Sequence, residues 1–464
     1  MKDKLIDKVR ESTSSKAIKP VRDGVLLNRR QLLKAGLSAA GYMALLAGCA
    51  VNPVTGKSEL SFMSRNDEIS VDREFGPKQF SSDYGPVQDS ELNHYVSSVG
   101  TVLAKKTHRP DMPYSFRVTN AHYMNAYTFP GGSAAITRYL IARLENEEQL
   151  AAIWGHELGH VNARHTASQM TRSKLMQGVL GLTSAAIGGQ NSILGQAVNV
   201  AGALGGTLFL ASYSRDNERQ ADELGQQYMA AAQYNPMGMA RIMEILNREH
   251  EENPGTVEIL FATHPMSTER YETTGNRAAT SYAVFKNAPN HKERYMDSTA
   301  GIRALLPMME ELAKGDKAMS QKNAQQAQEH YHRALSYGKN DYAANCRMGE
   351  FYAATGKEAE AVRYFENARA IYPNEARAAK GLGTSYASSG QWDMALQEFS
   401  DADQMLPGDP QMIFLKGLCY EGMGHRNMAA QHYSAFLQQV QQGEQAQHAY
   451  NQLIRWGYIR QGSR

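Results

Sequence analysis

The sequence predicts an α+β protein that is mostly helical, in which a domain with one small sheet precedes an all-α repeat solenoid. Three observations predict this fold class. Short runs with strand character, separated by turn residues, occupy residues 115–138. Apolar residues recur at helical spacing over residues 150–171. Small and aromatic residues then repeat every 34 positions over the last third of the chain.

The first 48 residues have the features of an export signal with a lipobox. Paired arginines at 29 and 30 precede an uncharged stretch, residues 35–48, that is too short to span a bilayer. The arginines resemble a twin-arginine signal, and export by the Sec route stays open. Cleavage would leave Cys49 as an acylated N-terminus with more than one lipid chain. Because Ala50 rather than aspartate follows it, the predicted location is the outer membrane of a Gram-negative envelope, facing the periplasm.

Charge and cysteine content exclude two classes of protein. Residues 1–48 hold ten basic and four acidic residues, a net +6, so removing them from a chain of +2 leaves about −4. No basic excess remains that would indicate nucleic-acid binding. After Cys49 only Cys346 and Cys419 remain, which gives no disulfide framework and predicts free, buried thiols.

The residues after the signal divide into a tether and two domains. Residues 49–75 are predicted to be the lipoprotein tether and the start of the first domain. A turn at residues 130–132, Pro-Gly-Gly, would leave the strand before it at the edge of a sheet. An edge strand binds an extended chain through backbone hydrogen bonds and demands little of its sequence. The residues expected to hold a substrate in this way are Asn125, Ala126 and Tyr127.

Residues 150–171 are predicted to form one largely buried helix, which carries His156-Glu157-x-x-His160. Histidines four positions apart lie one turn apart on the same face, so both imidazoles can reach a single ion. Glu157 points towards the same pocket and is placed as a general base. Two satisfied histidines in a core helix are the alternative that the motif alone leaves open.

A second helix supplies the candidate third ligand. Glu218 and Asp222 are four positions apart and share a helix face. Glu218 can complete a zinc site of two histidines and one carboxylate, with the fourth position left open. Asp222 can then accept the ring N–H of a ligating histidine. An ordinary charged helix surface is the alternative for this run.

The stretch between Lys174 and Ser214 contains no charged residue. Polar residues interrupt its apolar runs too often for two good membrane spans. We therefore expect two helices packed over the cleft, while a transmembrane hairpin or a pair that touches lipid stays open.

These segments resemble the HtpX/BepA type of envelope-associated zinc metallopeptidase, in the gluzincin group. The resemblance covers residues 52–282 and includes residues 52–57, which are similar to the segment after the lipobox in lipoprotein members. The matching motifs are His156-Glu157-x-x-His160, Ser214-Arg215-x-x-Glu218-x-x-Ala221-Asp222, Asn125-Ala126-Tyr127-Thr128-Phe129-Pro130-Gly131-Gly132, and Thr263-His264-Pro265 with Arg270.

The resemblance implies a zincin-type metallopeptidase domain over residues 76–300. It implies that this domain binds one zinc ion per chain. The implied ligands are His156, His160 and Glu218, with Asp222 as the hydrogen-bond partner of a ligand. Glu157 would take a proton from the attacking water and deliver it to the leaving amine.

The oxyanion of such a reaction needs a donor besides the metal. His264 and Arg270 are the candidates in the Thr-His-Pro segment. His264 could instead occupy the fourth zinc position and keep the enzyme latent. A capping or packing histidine before proline is the third interpretation.

The last third, residues 307–464, is predicted to be a tetratricopeptide-repeat domain with a final capping helix at residues 450–458. This repeat is a helix-turn-helix unit whose small residues let two helices pack closely. Its concave face usually binds a protein or peptide, and repeats that only cap and solubilise the first domain are the alternative. The residues that recur at a spacing of 34 are Gly315, Gly349, Gly383 and Gly417; Ala327, Ala361, Ala395 and Ala429; and Tyr331, Phe365, Phe399 and Tyr433.

The sequence therefore predicts a lipid-anchored zinc endopeptidase of the bacterial envelope that cleaves misfolded or misassembled envelope proteins. Its repeat domain would bind a protein partner, for which the resemblance suggests the outer-membrane assembly machinery. One alternative is a chaperone-like assembly factor that rarely cuts. A scaffold with structural zinc is another, but such a site needs no general base like Glu157 and is usually closed by four protein ligands.

Overall fold

The computed structural model describes residues 49–60, 63–170 and 213–460. The predicted signal segment up to residue 48 and most of the uncharged stretch before Ser214 lie outside the described residues. The first elements are β1 (Cys49–Val51), β2 (Ser58–Leu60), α1 (Arg65–Ser82), α2 (Ser90–Ala104), β3 (Ser115–Thr119), β4 (Ala126–Thr128), β5 (Ser133–Thr137) and α3 (Arg138–Arg143).

Helices then surround the His-Glu-x-x-His motif and continue into the repeats. The helices of the first domain are α4 (Glu147–Asn162), α5 (Arg215–Ala231), α6 (Gly238–Glu252), α7 (Pro254–Thr263), α8 (Thr268–Thr280) and α9 (Lys292–Ala304). The repeat helices are α10 (Leu306–Ser320), α11 (Ala324–Tyr337), α12 (Tyr342–Ala354), α13 (Glu358–Ile371), α14 (Ala376–Ser388), α15 (Trp392–Met405), α16 (Pro410–Gly422), α17 (Arg426–Gln439) and α18 (Glu444–Arg455).

The sheet of β3, β4 and β5 has the strand order β3-β5-β4. Strand β3 pairs with β5 in parallel, whereas β4 pairs with β5 in an antiparallel register that places Tyr127 opposite Ala135. Strand β4 is therefore at the edge of the sheet, where the sequence places it. It packs on α4.

Helix α4 is the most deeply buried helix of the first domain, since every one of its residues is buried. Asn146 caps its start by accepting a hydrogen bond from the Gln149 amide. The prediction of one helix over residues 150–171 was wrong at its end. The helix stops at Asn162, and Arg164 takes a left-handed φ of 58° before helical structure resumes over residues 165–170.

A tertiary ion pair explains this break. The Arg164 guanidinium donates to the buried Glu68 carboxylate of α1 at 2.8 Å and to the backbone carbonyl of Met63. These contacts stabilise a conformation that a non-glycine residue rarely adopts. Periodicity within one segment cannot reveal a partner that lies almost a hundred residues away.

The repeats form four helix pairs over residues 306–439, as the spacing of 34 predicts. Small residues allow the close packing: a Cβ on Gly349 would lie 2.8 Å from the ring of Phe365. The final helix, α18, begins at Glu444, a few residues before the predicted capping helix at 450–458. Cys346 and Cys419 are free and buried, which confirms that prediction.

Apolar packing is continuous between the first domain and the repeats. One hydrophobic cluster includes Trp154 of α4, Tyr295 of α9, Leu312 of α10 and Phe365 of α13. Within the described ranges, we find no helix with the length and apolar character that a membrane crossing requires.

Candidate metal centre

Helices α4 and α5 cross at very short distance, and this crossing builds the site. A Cβ on Gly155 would lie 2.9 Å from the Gly225 carbonyl oxygen, and one on Gly159 would lie 2.8 Å from that of Ala221. Glycine at these positions therefore lets the two backbones touch. The close approach brings the histidines of α4 opposite the carboxylates of α5.

Four buried side chains converge at the crossing: His156, His160, Glu218 and His264. The Nε2 atoms of His156 and His160 are 3.1 Å apart, and His156 Nε2 lies 3.3 Å from His264 Nδ1. Glu218 Oε1 lies 3.3 Å from His160 Nε2 and 3.2 Å from His264 Nδ1. The three predicted ligands are thus brought together, with His264 as a fourth donor.

These spacings fit a zinc ion. Zinc–nitrogen bonds of about 2.0–2.1 Å in a tetrahedron place neighbouring ligand atoms about 3.3 Å apart. The observed separations between donor atoms cluster around that value. Glu218 Oε1 is the oxygen that lies beside His160 and His264, whereas its Oε2 pairs with the Arg270 guanidinium at 2.6 Å.

The Nδ1 atoms of His156 and His160, which point away from the other donors, are fixed by hydrogen bonds. Asp222 Oδ1 lies 2.9 Å from His156 Nδ1, the contact that the sequence predicts. His160 Nδ1 contacts His165 Nδ1 at 2.9 Å, and His165 Nε2 contacts the Gln220 amide oxygen. Since that oxygen only accepts, His165 donates to it and accepts from His160. Both histidines of α4 then direct a lone pair from Nε2 into the site.

His165 and Tyr213 also contact the site, and neither was predicted from the sequence. His165 follows the break in α4, so helical spacing does not place it near His160. The Tyr213 ring stacks on His160 at 3.7 Å between ring centroids, and its hydroxyl contacts Thr166 at 2.9 Å. Tyr213 directly precedes the Ser-Arg motif of α5. Its position in the sequence was therefore the one feature that could have indicated its place beside the site.

Burial and neighbouring charges set the protonation states of His160 and Glu218. Burial holds the pKa of His160 well below its ordinary value, so its imidazole is neutral. Burial alone would raise the pKa of Glu218, but the neighbouring histidines hold it well below the usual range. A neutral imidazole and an ionised carboxylate are the forms that ligate metals.

Glu157 lies beside the donor set, between the edge strand and His264. Its Oε1 is 3.7 Å from His264 Nε2, and its Oε2 is 3.3 Å from the Thr128 hydroxyl of β4. Burial raises the pKa of Glu157. A carboxylate that binds protons more strongly than usual is suited to general base catalysis.

Arg270, predicted as a candidate oxyanion donor, contacts the two carboxylates of α5. Its guanidinium makes two hydrogen bonds of 2.7 Å to Asp222, and Nη1 lies 2.6 Å from Glu218 Oε2. Nη1 also donates to the Pro265 carbonyl at 3.0 Å. With its donors committed to carboxylates behind the ligands, Arg270 orients Asp222 and Glu218 rather than facing a substrate.

The three residues expected to bind a substrate strand lie above α4. Ala126 and Tyr127 are buried in β4, and Tyr127 donates a hydrogen bond to Asp83. The Asn125 side chain is fully buried, and neither its amide nitrogen nor its oxygen has a hydrogen-bond partner among the described residues.

The part of the chain that carries these residues is similar to a known family. The model of peptidase family M48 matches residues 90–278, which contain the whole donor set. The model of a tetratricopeptide repeat matches residues 318–384. These matches confirm three predictions from the sequence: the fold class, the zinc metallopeptidase domain and the zinc requirement.

Curated relatives carry the same domain. The chain is 29% identical to the beta-barrel assembly-enhancing protease of Escherichia coli over 49% of this chain and 47% of that protein. It is 28% identical to the Yersinia pestis protein of the same name, over 53% and 51%. It is 31% identical to the mitochondrial metalloendopeptidase OMA1 of Saccharomyces cerevisiae, over 32% and 41%. The chain thus spans about half the length of the first of these relatives.

Among solved structures, the TPR protein YrrB and the type IV pilus biogenesis factor PilW are similar to this chain. YrrB aligns with a TM-score of 0.30 at 16% identity, over 45% of this chain and 99% of YrrB. PilW aligns with a TM-score of 0.31 at 14% identity, over 50% and 98%. The repeat assignment itself rests on the family model. Residues 90–278 are thus a peptidase family M48 domain, and tetratricopeptide repeats follow it.

Proposed function

We propose that this protein is a zinc-dependent endopeptidase that cleaves unfolded or misassembled proteins of the bacterial envelope. The observation that carries the proposal is the position of Glu157. Its buried carboxylate lies between a four-residue donor set and an edge strand. A structural zinc site would not need such a base.

The residues of this chain divide the chemistry among them. A bound zinc ion supplies Lewis acidity to a peptide carbonyl and to a water molecule. Glu157 accepts the proton of the attacking water and delivers it to the leaving amine. His156, His160 and Glu218 hold the ion, and Asp222 fixes the ring of His156.

Strand β4 supplies the binding surface for substrate. Its position at the sheet edge suits an extended polypeptide that adds as a further strand. Recognition through backbone groups needs little side-chain sequence, and it requires a substrate segment that is unfolded. This requirement favours misassembled proteins over compact native ones.

Location and partners are part of the same proposal. The lipobox that ends at Cys49 supports a lipid anchor, and the residue after it supports the outer membrane facing the periplasm. The relatives named beta-barrel assembly-enhancing protease support a role near the assembly of outer-membrane proteins. The tetratricopeptide repeats would bind a protein partner.

Casein proteolysis tests the proposal directly. The chain from residue 50 onwards is compared with its Glu157→Gln variant, each with and without a zinc chelator. We expect cleavage by the zinc-loaded wild type and a loss of at least about a hundredfold in the variant, because general base catalysis contributes that much. Undiminished cleavage by the variant would contradict the role of Glu157.

A second function is favoured by His264. This histidine fills the position that a catalytic zinc site usually leaves open, which supports a resting enzyme with little proteolysis. Such a protein could assist assembly by binding clients, as a chaperone does. Full rescue of a deletion strain by the Glu157→Gln variant would favour this function over the peptidase.

A further inference from the structure

The turn that follows α1, residues 81–85, contacts both the substrate strand and the repeat array. We propose that Asp83 in this turn is a positioning residue that aligns β4 for substrate and is itself held in place by the repeats. This inference rests on the proposed peptidase function and adds that the repeats influence substrate binding at the same site.

Asp83 is joined to the edge strand by hydrogen bonds. Its carboxylate is fully buried and accepts from the hydroxyls of Tyr123 and Tyr127. Tyr127 is the central residue of β4, and the next residue, Thr128, contacts Glu157 through its hydroxyl. A shift of Asp83 would therefore move the strand that lies against the general base.

The repeats hold the same turn from the other side. The Arg377 guanidinium of α14 lies 4.2 Å above the ring of Tyr84 and donates to the Ser82 carbonyl at 3.0 Å. Tyr84 is buried in a cluster with Tyr342 and Cys346 of α12. These contacts fix both neighbours of Asp83.

The backbone of the turn depends on these contacts. Tyr84 has a φ of 63° and Gly85 a φ of 73°, so two consecutive residues are left-handed. The conformation is unfavourable for tyrosine and persists only where surrounding groups hold it. Asn120 contributes by donating from its side chain to the carbonyls of residues 84 and 85.

The fit against the repeats is also sterically close. Glu375, the N-cap residue of α14, accepts hydrogen bonds from Ser81 and from Tyr342. A Cβ on Gly85 would lie 2.7 Å from the Cγ of Glu375. The turn thus packs closely against the surface of α12 and α14. A movement of these helices would therefore shift Asp83.

Hydrogen–deuterium exchange on the full protein tests the coupling without requiring activity. In Arg377→Gln we expect the amides of residues 124–129 to exchange roughly threefold to tenfold faster than in the wild type, because the strand opens more often. Lys380→Gln is the matched control: Lys380 lies one turn further along α14 and pairs with Asp409 of the next repeat. Its exchange over residues 124–129 should equal that of the wild type.

Tyr127→Phe removes the hydrogen bond between β4 and Asp83, which is the other end of the same set of contacts. It should accelerate the same amides, and the double variant with Arg377→Gln should add little beyond either single change. If Arg377→Gln fails to fold, Arg377→Lys keeps the charge and removes the planar stacking, and it serves in its place. Faster exchange confined to residues 81–85, or effects that simply add, would overturn the proposal.

Casein kinetics separate this inference from the proposed function. In Arg377→Gln we expect KM to rise roughly threefold to tenfold while kcat changes less, because substrate binding is affected before chemistry. Zinc content should be unchanged. A wild type that cleaves nothing would defeat the peptidase proposal, while faster exchange of residues 124–129 would still establish the coupling.

Discussion

At the scale of single residues, each candidate ligand histidine on α4 has a hydrogen-bond partner at its Nδ1 atom. Asp222 is this partner for His156, and Arg270 in turn holds Asp222 through two hydrogen bonds. Such partners usually contribute a factor of about 10 to 100 in metal affinity. The sequence predicts Asp222 because helical spacing places it one turn from Glu218.

The Asp222→Asn variant should therefore bind zinc roughly 10- to 100-fold more weakly than the wild type, because an amide is a weaker acceptor for the His156 ring N–H. Competition with a chromophoric chelator measures the affinity. Asp216→Asn is the control, since Asp216 lies on the same helix with its side chain 86% exposed. Equal affinities in the wild type and Asp222→Asn would contradict the orienting role.

The possible roles of His264 predict different cleavage rates when this residue is replaced by alanine. It lies 3.3 Å from His156 Nε2 and 3.2 Å from Glu218 Oε1, as a fourth ligand would. We expect His264→Ala to cleave casein roughly threefold to tenfold faster, because a state with an open site becomes more populated. Initial rates at equal zinc content measure this. Slower cleavage would instead support an oxyanion donor, and an unchanged rate would support a packing role.

At the scale of elements, the centre depends on how closely α4 and α5 approach. Gly159→Ala would place a methyl group 2.8 Å from the Ala221 carbonyl oxygen, so the helices must separate. We expect a loss of about 1–3 kcal/mol in the free energy of unfolding, together with weaker zinc binding. Urea unfolding and chelator competition measure the two effects.

Gly301→Ala provides the control for the helical propensity of alanine. A Cβ at Gly301 in α9 would meet no atom within 4 Å, so this substitution should stabilise the helix by about 0.5–1 kcal/mol. If both substitutions stabilised the protein equally, close contact between α4 and α5 would not limit the site.

The elements also show which information a sequence carries. The ligand motifs, the three strands and the repeat helices follow local patterns, and these were predictable. The end of α4 and the role of Arg270 were not, because each depends on a tertiary ion pair. Arg164 pairs with Glu68 of α1, and Arg270 pairs with Asp222 of α5. Neither pairing leaves a periodic signal in the chain.

At the scale of the whole molecule, the contacts between the first domain and the repeats likewise could not be predicted from the sequence. The hydrogen bonds among them join residues that are more than 160 positions apart, and they include buried charges. Arg138, at the start of α3, donates to Asp341 at 3.0 Å, with side chains that are 2% and 9% exposed. Asp341 also caps α12 by accepting a hydrogen bond from the Ala344 amide.

The buried pair of Arg138 and Asp341 predicts how stability depends on pH. Burial alone would raise the pKa of Asp341, but Arg138 and the capping amide outweigh it and hold the pKa below its ordinary value. A carboxyl whose pKa is depressed by folding stabilises the protein above the unfolded pKa of about 3.9, and this stability is lost as the pH falls through the folded pKa. Asp341→Asn keeps a capping oxygen and removes only the charge.

We therefore expect Asp341→Asn to lower the free energy of unfolding by about 3 kcal/mol at neutral pH, because it leaves Arg138 buried without a counter-ion. The difference from the wild type should begin to shrink as the pH falls through about 3.9, where the carboxyl of the unfolded wild type takes up a proton, and should be lost below the lower pKa of the folded protein. Urea unfolding at a series of pH values measures it. Asp409→Asn is the control, because Asp409 also caps a helix but its pair with Lys380 is partly solvated, so the loss should stay below about 1 kcal/mol. A difference between wild type and Asp341→Asn that did not vary with pH would show that the lost hydrogen bond, rather than the charge, holds the repeats against the catalytic domain.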